Sequence, residues 1–278
     1  MRIVITGARG MLAQDLIQKF SARHDVVALP KSEMDVTSES LVRARMDQIG
    51  PDVILHAAAF TGVDDAETHR EKSFQINAQG TRNLAVAASE CRASLLYYST
   101  DYVFPGHHSI PYQESDLPDP VNYYGFTKLQ GEREILSLCP AHLIIRTSWL
   151  FGAGGENFVC TIARAAREKS ELEVVEDQMG KPTWTSDLAE MSLALVEDGR
   201  RGLYHVTNSG ECSWFEFARQ IVSELGLHCR VRPVGTDRFP RPARRPNYSV
   251  LANSALHRDG YPELRSWKKA LGIFLRTP

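Results

Sequence analysis

Tyr124 and Lys128 stand four residues apart in a segment, residues 124–138, whose pattern predicts a helix. Side chains at positions i and i+4 share one helix face, with their Cβ atoms about 5–6 Å apart. A phenol beside an ammonium group is a proton donor whose pKa the positive charge is expected to lower. Thr100 follows a predicted strand, residues 93–99, and offers a hydroxyl that can hydrogen-bond a carbonyl oxygen. Thr100, Tyr124 and Lys128 together predict a site that polarises and protonates a ketone while a hydride arrives from elsewhere.

The N-terminal stretch predicts a nucleotide-binding turn. Residues 2–6 are apolar and β-branched without alternation, which is typical of a buried parallel strand. A glycine-rich segment, residues 6–13, then leads into a predicted helix, and this order is typical of dinucleotide-binding folds. Gly7 permits the tight turn, and Gly10 lets the backbone approach a pyrophosphate at the helix N-terminus. Ala13 stands where a third small residue allows the helix to pack closely on the strand.

The end of the second predicted strand, residues 25–29, bears on the choice of cofactor. Folds selective for NAD usually place an acidic residue there, which accepts a hydrogen bond from the ribose 2′-hydroxyl. Here Lys31 and Ser32 follow the strand, so a 2′-phosphate would meet a cation and a hydroxyl. The pattern therefore leans towards NADPH over NADH, although Glu33 is only one residue further on. Asp35 is placed to cap the helix predicted from about residue 38.

Residues suited to ligand contact follow the predicted strands at their carboxyl ends. Ligands of open parallel sheets bind in the crevice outside those ends. The sequence therefore predicts an α/β fold of Rossmann type, with a doubly wound parallel sheet and one cleft. The residues that carry this prediction are Gly7, Ala59, Thr61, Thr100 and Trp149.

The regular alternation of strands and helices loosens after residue 152. Residues 1–150 are therefore expected to form the NAD(P)-binding Rossmann domain, and residues 151–278 mainly a smaller α/β lobe for the substrate. Some strands and helices of the second part are expected to return to the first. Arginines and prolines near the end of the chain show no helical face. Either they are solvated loop residues, or Arg244 or Arg245 covers the substrate pocket and binds a diphosphate through paired hydrogen bonds.

Composition excludes several classes of function. The 278 residues are 43% hydrophobic and 24% charged, which is ordinary for a soluble globular protein. A net charge of −2 gives no general attraction to nucleic acid or to an anionic membrane, and no apolar stretch approaches the length of a membrane span. Five scattered cysteines without a CxxC pair predict reduced thiols in a cytoplasmic protein. Because the chain opens directly on a strand, no targeting segment is expected.

Seven segments, in order along almost the whole chain, resemble the dTDP-4-dehydrorhamnose reductase family of extended short-chain dehydrogenases/reductases. The pairing of STDYVF with YGxTK is the most specific part of the resemblance. The segments are residues 6–13 (TGARGMLA), 57–64 (AAAFTGVD), 99–104 (STDYVF), 124–128 (YGFTK), 146–149 (RTSW), 177–183 (DQMGKPT) and 245–247 (RPN).

The resemblance implies an NAD(P)H-dependent enzyme that reduces the 4-keto group of dTDP-4-dehydro-β-L-rhamnose to dTDP-L-rhamnose. It implies that Tyr124 is the proton donor, Lys128 holds the nicotinamide ribose and Thr100 binds the ketone oxygen. Expected cofactor contacts are Gly7, Gly10, Met11, Leu12, Asp35, Val36, Ala59, Phe60, Thr61, Tyr124 and Lys128. Expected sugar-nucleotide contacts are Val63, Thr100, Asp101 and Trp149, with Arg245 added from the arginine cluster.

The chain departs from the family pattern at two places. Ala13 replaces the usual glycine of the nucleotide-binding turn. Some members bind Mg²⁺ through acidic residues at a dimer interface near a segment that is short here, residues 198–201. The resemblance therefore carries over neither the metal nor the dimer, and a homodimer stays an open expectation.

Three other functions remain open on the sequence. The nearest is reduction of another nucleotide-linked 4-keto-6-deoxy sugar. An epimerase or a dehydratase could use the same fold, but a dehydratase typically needs Asp-Glu beside the threonine, and here Asp101 and Tyr102 follow Thr100. The third is a non-catalytic regulatory subunit resembling the methionine adenosyltransferase β subunit.

Overall fold

A computed structural model describes residues 1–277 and contains twelve strands, of which six form the central sheet. In chain order the strands are β1 (Arg2–Thr6), β2 (Asp25–Leu29), β3 (Val53–His56), β4 (Ser94–Thr100), β5 (His142–Thr147), β6 (Leu150–Phe151), β7 (Glu171–Val175), β8 (Met179–Gly180), β9 (Thr183–Trp184), β10 (Gly202–His205), β11 (Cys212–Ser213) and β12 (Arg230–Val234).

Helices connect most of these strands. In chain order they are α1 (Met11–Ser21), α2 (Glu39–Ile49), α3 (Val63–Thr68), α4 (Arg70–Phe74), α5 (Gly80–Glu90), α6 (Tyr123–Leu138), α7 (Phe158–Glu168), α8 (Thr185–Glu197), α9 (Trp214–Glu224), α10 (Ser254–Arg258) and α11 (Trp267–Phe274). None of the helices within residues 1–277 has both the length and the apolar character needed to cross a membrane.

The central sheet is parallel throughout and has the order β2-β1-β3-β4-β5-β10. The chain passes from β1 to β2 on one side and then returns to place β3 on the other side of β1. At such a reversal the connections leave a crevice at the carboxyl ends of the strands. The predicted α/β fold with a doubly wound parallel sheet is therefore confirmed.

Both faces of the sheet are covered by helices, which explains why its strands are apolar without alternation. Leu16 and Phe20 of α1 pack with Leu188 of α8 against one face, and none of the three side chains is exposed. Val42 of α2 and Ile135 of α6 pack against the other face. Burial of each such side chain stabilises the fold by roughly 1.5–3 kcal/mol.

A third apolar cluster is built from residues 149–275. Its centre is Phe217 of α9, whose ring lies 5.7 Å from that of Phe151 and 5.5 Å from that of Trp267. Strands β7 and β12 pair in parallel beside it. However, β10 joins the central sheet and α8 packs against α1. The division of the chain near residue 150 stays a prediction.

Candidate active site

One cleft of about 740 Å³ lies along the carboxyl edge of the central sheet. It brings together residues from widely separated parts of the chain, because the ends of parallel strands meet at one edge. Phe60 and Arg245 are the two predicted site residues that do not line it. Those that do are Gly7, Gly10, Met11, Leu12, Asp35, Val36, Ala59, Thr61, Val63, Thr100, Asp101, Tyr124, Lys128 and Trp149.

The glycine-rich turn between β1 and α1 forms a cradle for an anionic group. Gly7 has a φ of +68°, and a Cβ atom there would lie 2.7 Å from Cα of Ala58, so a side chain is excluded on two grounds. Gly10 is the N-cap of α1 and provides no side-chain hydrogen bond to the helix. The first N–H groups of α1 are therefore open to the cleft, where the positive end of the helix favours negative charge. This arrangement fits the pyrophosphate of a dinucleotide.

The far end of the cleft carries two cations that suit an adenosine phosphate. Lys31 lies 3.4 Å from Asp35, and Arg9 from the glycine-rich turn lines the same cleft. Asp35 does not cap α2, because its carboxylate accepts from the backbone N–H and the hydroxyl of Thr37. Burial would raise the pKa of Asp35, but these bonds and the Lys31 charge lower it. Arg9 was missed on the sequence because the interpretation of the turn rested on its small residues.

The loop after β3 is held in place by an amide that the sequence did not single out. Asn77 accepts the Phe60 N–H at 2.8 Å and donates to the Phe60 carbonyl oxygen at 3.0 Å. Its amide also donates to the hydroxyl of Thr127 on α6. Asn77 lies in a π-helical turn, Gln75–Gln79, between α4 and α5. It therefore fixes Ala59 and Thr61 on the cleft wall, while the Phe60 ring lies 5.9 Å from the Lys72 ammonium.

Helix α6 presents Tyr124 and Lys128 to the cleft. The Asn122 side chain caps the helix by accepting the Gly125 N–H at 2.8 Å. The Tyr124 ring packs edge-on against that of Tyr102, with the ring centroids 6.2 Å apart. The predicted placement of both side chains on one face, from the four-residue spacing, thus agrees with the structure.

The prediction that Lys128 lowers the pKa of Tyr124 is wrong. Burial and the nearby Asp101 carboxylate raise the pKa of Tyr124, although a hydrogen bond with Thr100 opposes them. Burial also lowers the pKa of Lys128 to about 7, against the attraction of Glu132. The neighbouring lysine is visible in the sequence, but burial is not. Burial disfavours both the phenolate form of Tyr124 and the ammonium form of Lys128. Tyr124 is therefore a phenol that keeps its proton until an acceptor arrives.

Thr100 is the last residue of β4 and is oriented by its neighbours. Its hydroxyl accepts the Tyr102 N–H at 3.1 Å and donates to Asp101 Oδ1 at 3.0 Å. The other carboxylate oxygen of Asp101 accepts from the Ser249 hydroxyl at 2.5 Å. Burial raises the pKa of Asp101 to about 7, against the hydrogen bonds from Ser249 and Thr100.

An aromatic wall closes the other side of the cleft. Trp149 has a φ of +47° and stacks on Trp214, with centroids 3.5 Å apart and planes within 7°. A Cβ atom at Gly180 would overlap the Trp149 indole, so this approach requires glycine. Trp214 also lines the cleft, and its position 65 residues away in sequence gave no signal of it. The Thr147 hydroxyl is buried in the same wall without a hydrogen-bond partner among residues 1–277.

Arg245 binds an acidic residue of its own chain. Its guanidinium makes paired hydrogen bonds to Asp64, of 2.5 and 2.9 Å, and Arg241 adds a third at 3.2 Å. The hydrogen bond from Arg245 lowers the pKa of Asp64 to about 2. Arg244 is exposed, and its carbonyl oxygen accepts from the Asn122 side chain. The diphosphate role of Arg245 stays a prediction, and the structure gives its guanidinium a different partner.

No group of three or more His, Cys, Asp or Glu side chains that could hold a metal ion occurs within the described part of the chain, residues 1–277.

A doubly wound parallel sheet with a glycine-rich first turn, and with threonine, tyrosine and lysine at the same edge, defines an extended short-chain dehydrogenase/reductase. The comparisons with known proteins specify the family. A family model described as the RmlD substrate binding domain matches residues 1–277. The chain belongs to this family, and the resemblance to dTDP-4-dehydrorhamnose reductases is confirmed.

Individual relatives match along almost the whole chain. The chain is 42% identical to a dTDP-4-dehydrorhamnose reductase of Mycolicibacterium smegmatis over 275 residues, which cover 97% of this chain and 84% of the relative. It is 39% identical to a dTDP-4-keto-6-deoxy-D-glucose reductase of Streptomyces niveus, with 97% and 95% covered. A crystal structure of dTDP-4-dehydrorhamnose reductase from Bacillus anthracis in complex with NADP superposes with a TM-score of 0.97 at 41% identity, with 99% and 98% covered.

Proposed function

We propose that this protein reduces the 4-keto group of dTDP-4-dehydro-β-L-rhamnose to give dTDP-L-rhamnose, with NADPH or NADH as the reductant. The observation that carries the proposal is that Thr100, Tyr124 and Lys128 line the same cleft as the open N-terminus of α1. A ketone-reducing triad and a pyrophosphate cradle in one cleft are what such a reaction requires. The names of the relatives support the dTDP-linked keto sugar as substrate and NADP as cofactor.

The side chains divide the chemistry of ketone reduction among them. A bound nicotinamide cofactor supplies the hydride. Tyr124 gives its proton to the oxygen that becomes the new hydroxyl, and its raised pKa keeps it protonated until then. Thr100 donates a hydrogen bond to the same oxygen and stabilises its developing charge. Lys128 binds the cofactor ribose beside the Tyr124 hydroxyl. Its pKa of about 7 lies far below the usual value of a lysine.

The cleft also offers contacts for the sugar and its nucleotide. Trp149 and Trp214 form a flat apolar surface that suits a sugar face or a base. Val63, at the start of α3, lies on the cleft wall beside the loop after β3.

The test is the loss of NADPH absorbance with enzymatically prepared dTDP-4-dehydrorhamnose, repeated with NADH. Tyr124→Phe removes the donated proton and should lower kcat by about 10²–10⁴-fold while cofactor binding is retained. Tyr123→Phe is a matched control, because Tyr123 is the preceding residue of α6 and does not line the cleft. A Tyr124→Phe variant as active as Tyr123→Phe would contradict the proton-donor role. Cofactor binding without turnover of the dTDP-sugar would contradict the proposed reaction.

A second keto sugar has a specific observation in its favour. The Streptomyces niveus relative is named for dTDP-4-keto-6-deoxy-D-glucose and is nearly as similar as the dehydrorhamnose reductases. The two substrates should therefore be compared by kcat/KM in the same assay.

We also propose a cytoplasmic location for the activity. Its support is that all five cysteines are free thiols, as in proteins of reducing compartments. The homodimer stays a prediction, which sedimentation of the purified protein would decide.

A further inference from the structure

The Thr100 hydroxyl has one proton to donate and two lone pairs that accept. One lone pair accepts the Tyr102 N–H at 3.1 Å. Asp101 Oδ1 lies 3.0 Å from the hydroxyl oxygen in a second direction. The third direction faces the cleft, where Tyr124 also hydrogen-bonds Thr100, and a ketone oxygen bound there would take the place of that contact. If Thr100 donates its proton to a hydrogen bond with Asp101, it can only accept a hydrogen bond from a ligand. If it accepts from Asp101, it can donate to the ligand.

The two protonation states of Asp101 give opposite results. An ionised carboxylate can only accept hydrogen bonds. The Thr100 hydroxyl then donates its hydrogen bond to Asp101, and a lone pair of Thr100 faces the cleft. A ketone oxygen also presents lone pairs, and the two would repel each other. If Asp101 carries a proton on Oδ1, it donates to Thr100, and the Thr100 proton is then free to point into the cleft.

Ser249 fixes Asp101 from the opposite side. Its hydroxyl lies 2.5 Å from Asp101 Oδ2, and its backbone N–H donates to the Met179 carbonyl oxygen at 2.9 Å. Asp101 is only 2% exposed, so water does not replace these partners. The chain Ser249–Asp101–Thr100 is thus a fixed row of hydrogen bonds that ends at the cleft.

We propose that Asp101, held by Ser249, is a positioning residue that sets the direction of the Thr100 hydroxyl, so that Thr100 donates to a ketone oxygen only while Asp101 carries a proton. The inference rests on the proposed function, because it assigns Asp101 a role in the ketone reduction. It also assigns a role to Ser249, which lies 149 residues after Thr100 in the chain.

The electrostatic surroundings let Asp101 change its protonation state near neutral pH. Burial raises the pKa of Asp101 to about 7, although the hydrogen bond from Ser249 opposes this rise. The titratable groups that face it are the phenols of Tyr124 from α6 and Tyr102 from its own turn. Both phenols have raised pKa values and are uncharged at neutral pH.

Two cations of the packed elements, Lys128 and Arg245, have other partners. Lys128 of α6 lies over the Tyr97 ring, 4.0 Å from its centroid. Arg245, from the segment that also carries Ser249, is paired with Asp64. The proton on Asp101 is therefore governed mainly by burial and by its two hydroxyl partners.

Ser249→Ala tests the proposal, because the activity of this variant relative to the wild type should increase with pH. Loss of a hydrogen bond to a charged group should raise the pKa of Asp101 by about one pH unit. The ratio of variant to wild-type kcat should then rise roughly eightfold between about pH 5.5 and about pH 8.5, because the variant keeps its Asp101 proton longer. Lys128 titrates in the same range, but Ser249 does not contact it, so its effect cancels in the ratio.

A matched control removes another buried serine hydroxyl. Ser192 contacts the Tyr98 hydroxyl and the Leu188 carbonyl oxygen and has no bond to Asp101. Ser192→Ala should therefore give a ratio that does not change with pH. A constant or falling ratio for Ser249→Ala would overturn the proposal while leaving the reductase activity of the wild type as evidence for the proposed function.

A second measurement does not need the dTDP-sugar. The carboxyl ¹³C signal of Asp101, assigned with Asp101→Asn, should titrate near pH 7 in the wild-type protein and about one unit higher in Ser249→Ala. A signal that titrates at the ordinary aspartate pKa, or one that Ser249→Ala leaves in place, would overturn the inference. If the protein did not turn over the substrate, the proposed function would fail and this titration would still decide the proton on Asp101.

Discussion

Breaking a buried ion pair behind helix α6 should cost more stability than breaking an exposed pair of the same geometry. Arg146 of β5 donates to Glu132 of α6 through Nε at 2.9 Å and Nη2 at 2.6 Å, and both side chains are less than 5% exposed. Ser99 of β4 also donates to Glu132. Glu132→Gln keeps the shape but leaves the Arg146 guanidinium buried without its counter-charge. Removing one partner of such a pair costs about 3–5 kcal/mol.

This cost can be converted into a melting temperature. With an unfolding entropy of about 2.1 cal/mol/K per residue, a chain of 278 residues loses roughly 1.7 °C of Tm per kcal/mol. Glu132→Gln should therefore lower Tm by roughly 5–9 °C. The measurement is thermal unfolding followed by circular dichroism at neutral pH and fixed ionic strength.

The chain supplies a matched control for the Glu132 substitution. Arg43 and Glu90 form the same paired geometry, with hydrogen bonds of 2.9 and 2.8 Å, but their side chains are about half exposed. Glu90→Gln should cost no more than about 1 kcal/mol, because solvent screens the pair. Equal Tm losses for Glu132→Gln and Glu90→Gln would refute the reasoning. Arg146→Met added to Glu132→Gln should recover part of the loss, since no unpaired guanidinium then remains.

Two further predictions concern the cofactor and the pH range of stability. Lys31→Ala should raise KM for NADPH by roughly 5–10-fold and change KM for NADH much less. The reason is that an exposed charge-assisted contact to a 2′-phosphate contributes about 1 kcal/mol. Equal changes in the two KM values would contradict the assignment of Lys31 to the 2′-phosphate. His56 is wholly buried, and burial and then the charge of Lys128 lower its pKa to about 3. Because the unfolded chain binds the proton first, the stability from neutral His56 is complete above about pH 6.5 and is lost as pH falls towards about 3, by up to about 1.4 kcal/mol per pH unit. His56→Gln should flatten the urea midpoint against pH over that range, and a slope as steep as that of the wild type would show that His56 is not the source.

The parts of the site that the sequence predicted are those fixed by local geometry. Gly7 directly follows β1, Thr100 is the last residue of β4, and the spacing of Tyr124 and Lys128 is fixed by one helix. In a parallel sheet the positions at strand ends converge at one edge, so a local pattern is enough to place them together. The α/β fold could be predicted for the same reason, because apolar strands alternated with amphipathic helices over the first half of the chain.

The parts that could not be predicted depend on partners far apart in sequence. Ser249 meets Asp101 across 148 residues, and Arg245 meets Asp64 across 181. The pKa of Tyr124 was assigned the wrong sign because the adjacent charge is visible in the sequence and burial is not. Strand β12 was missed since its residues, RVRPV, combine two arginines with a proline, and it pairs only with β7 among the described strands.

The long-range contacts have a common location that bears on how the site works. Residues 241–251 reach back to the first half of the chain at several points, among them Arg245 to Asp64 beside Val63, Ser249 to Asp101 beside Thr100, and Leu251 to Tyr112 through a β-bridge. The cofactor cradle at Gly7 and Gly10 involves none of these contacts. Strand β4 and helix α6 therefore position Thr100, Tyr124 and Lys128, whereas residues 241–251 hold Asp64 and Asp101, the neighbours of Val63 and Thr100. Substitutions that remove the contacts to Asp64 or Asp101 should thus act on kcat and on KM for the sugar nucleotide without moving KM for the cofactor, because the cradle at Gly7 and Gly10 shares neither of these bonds.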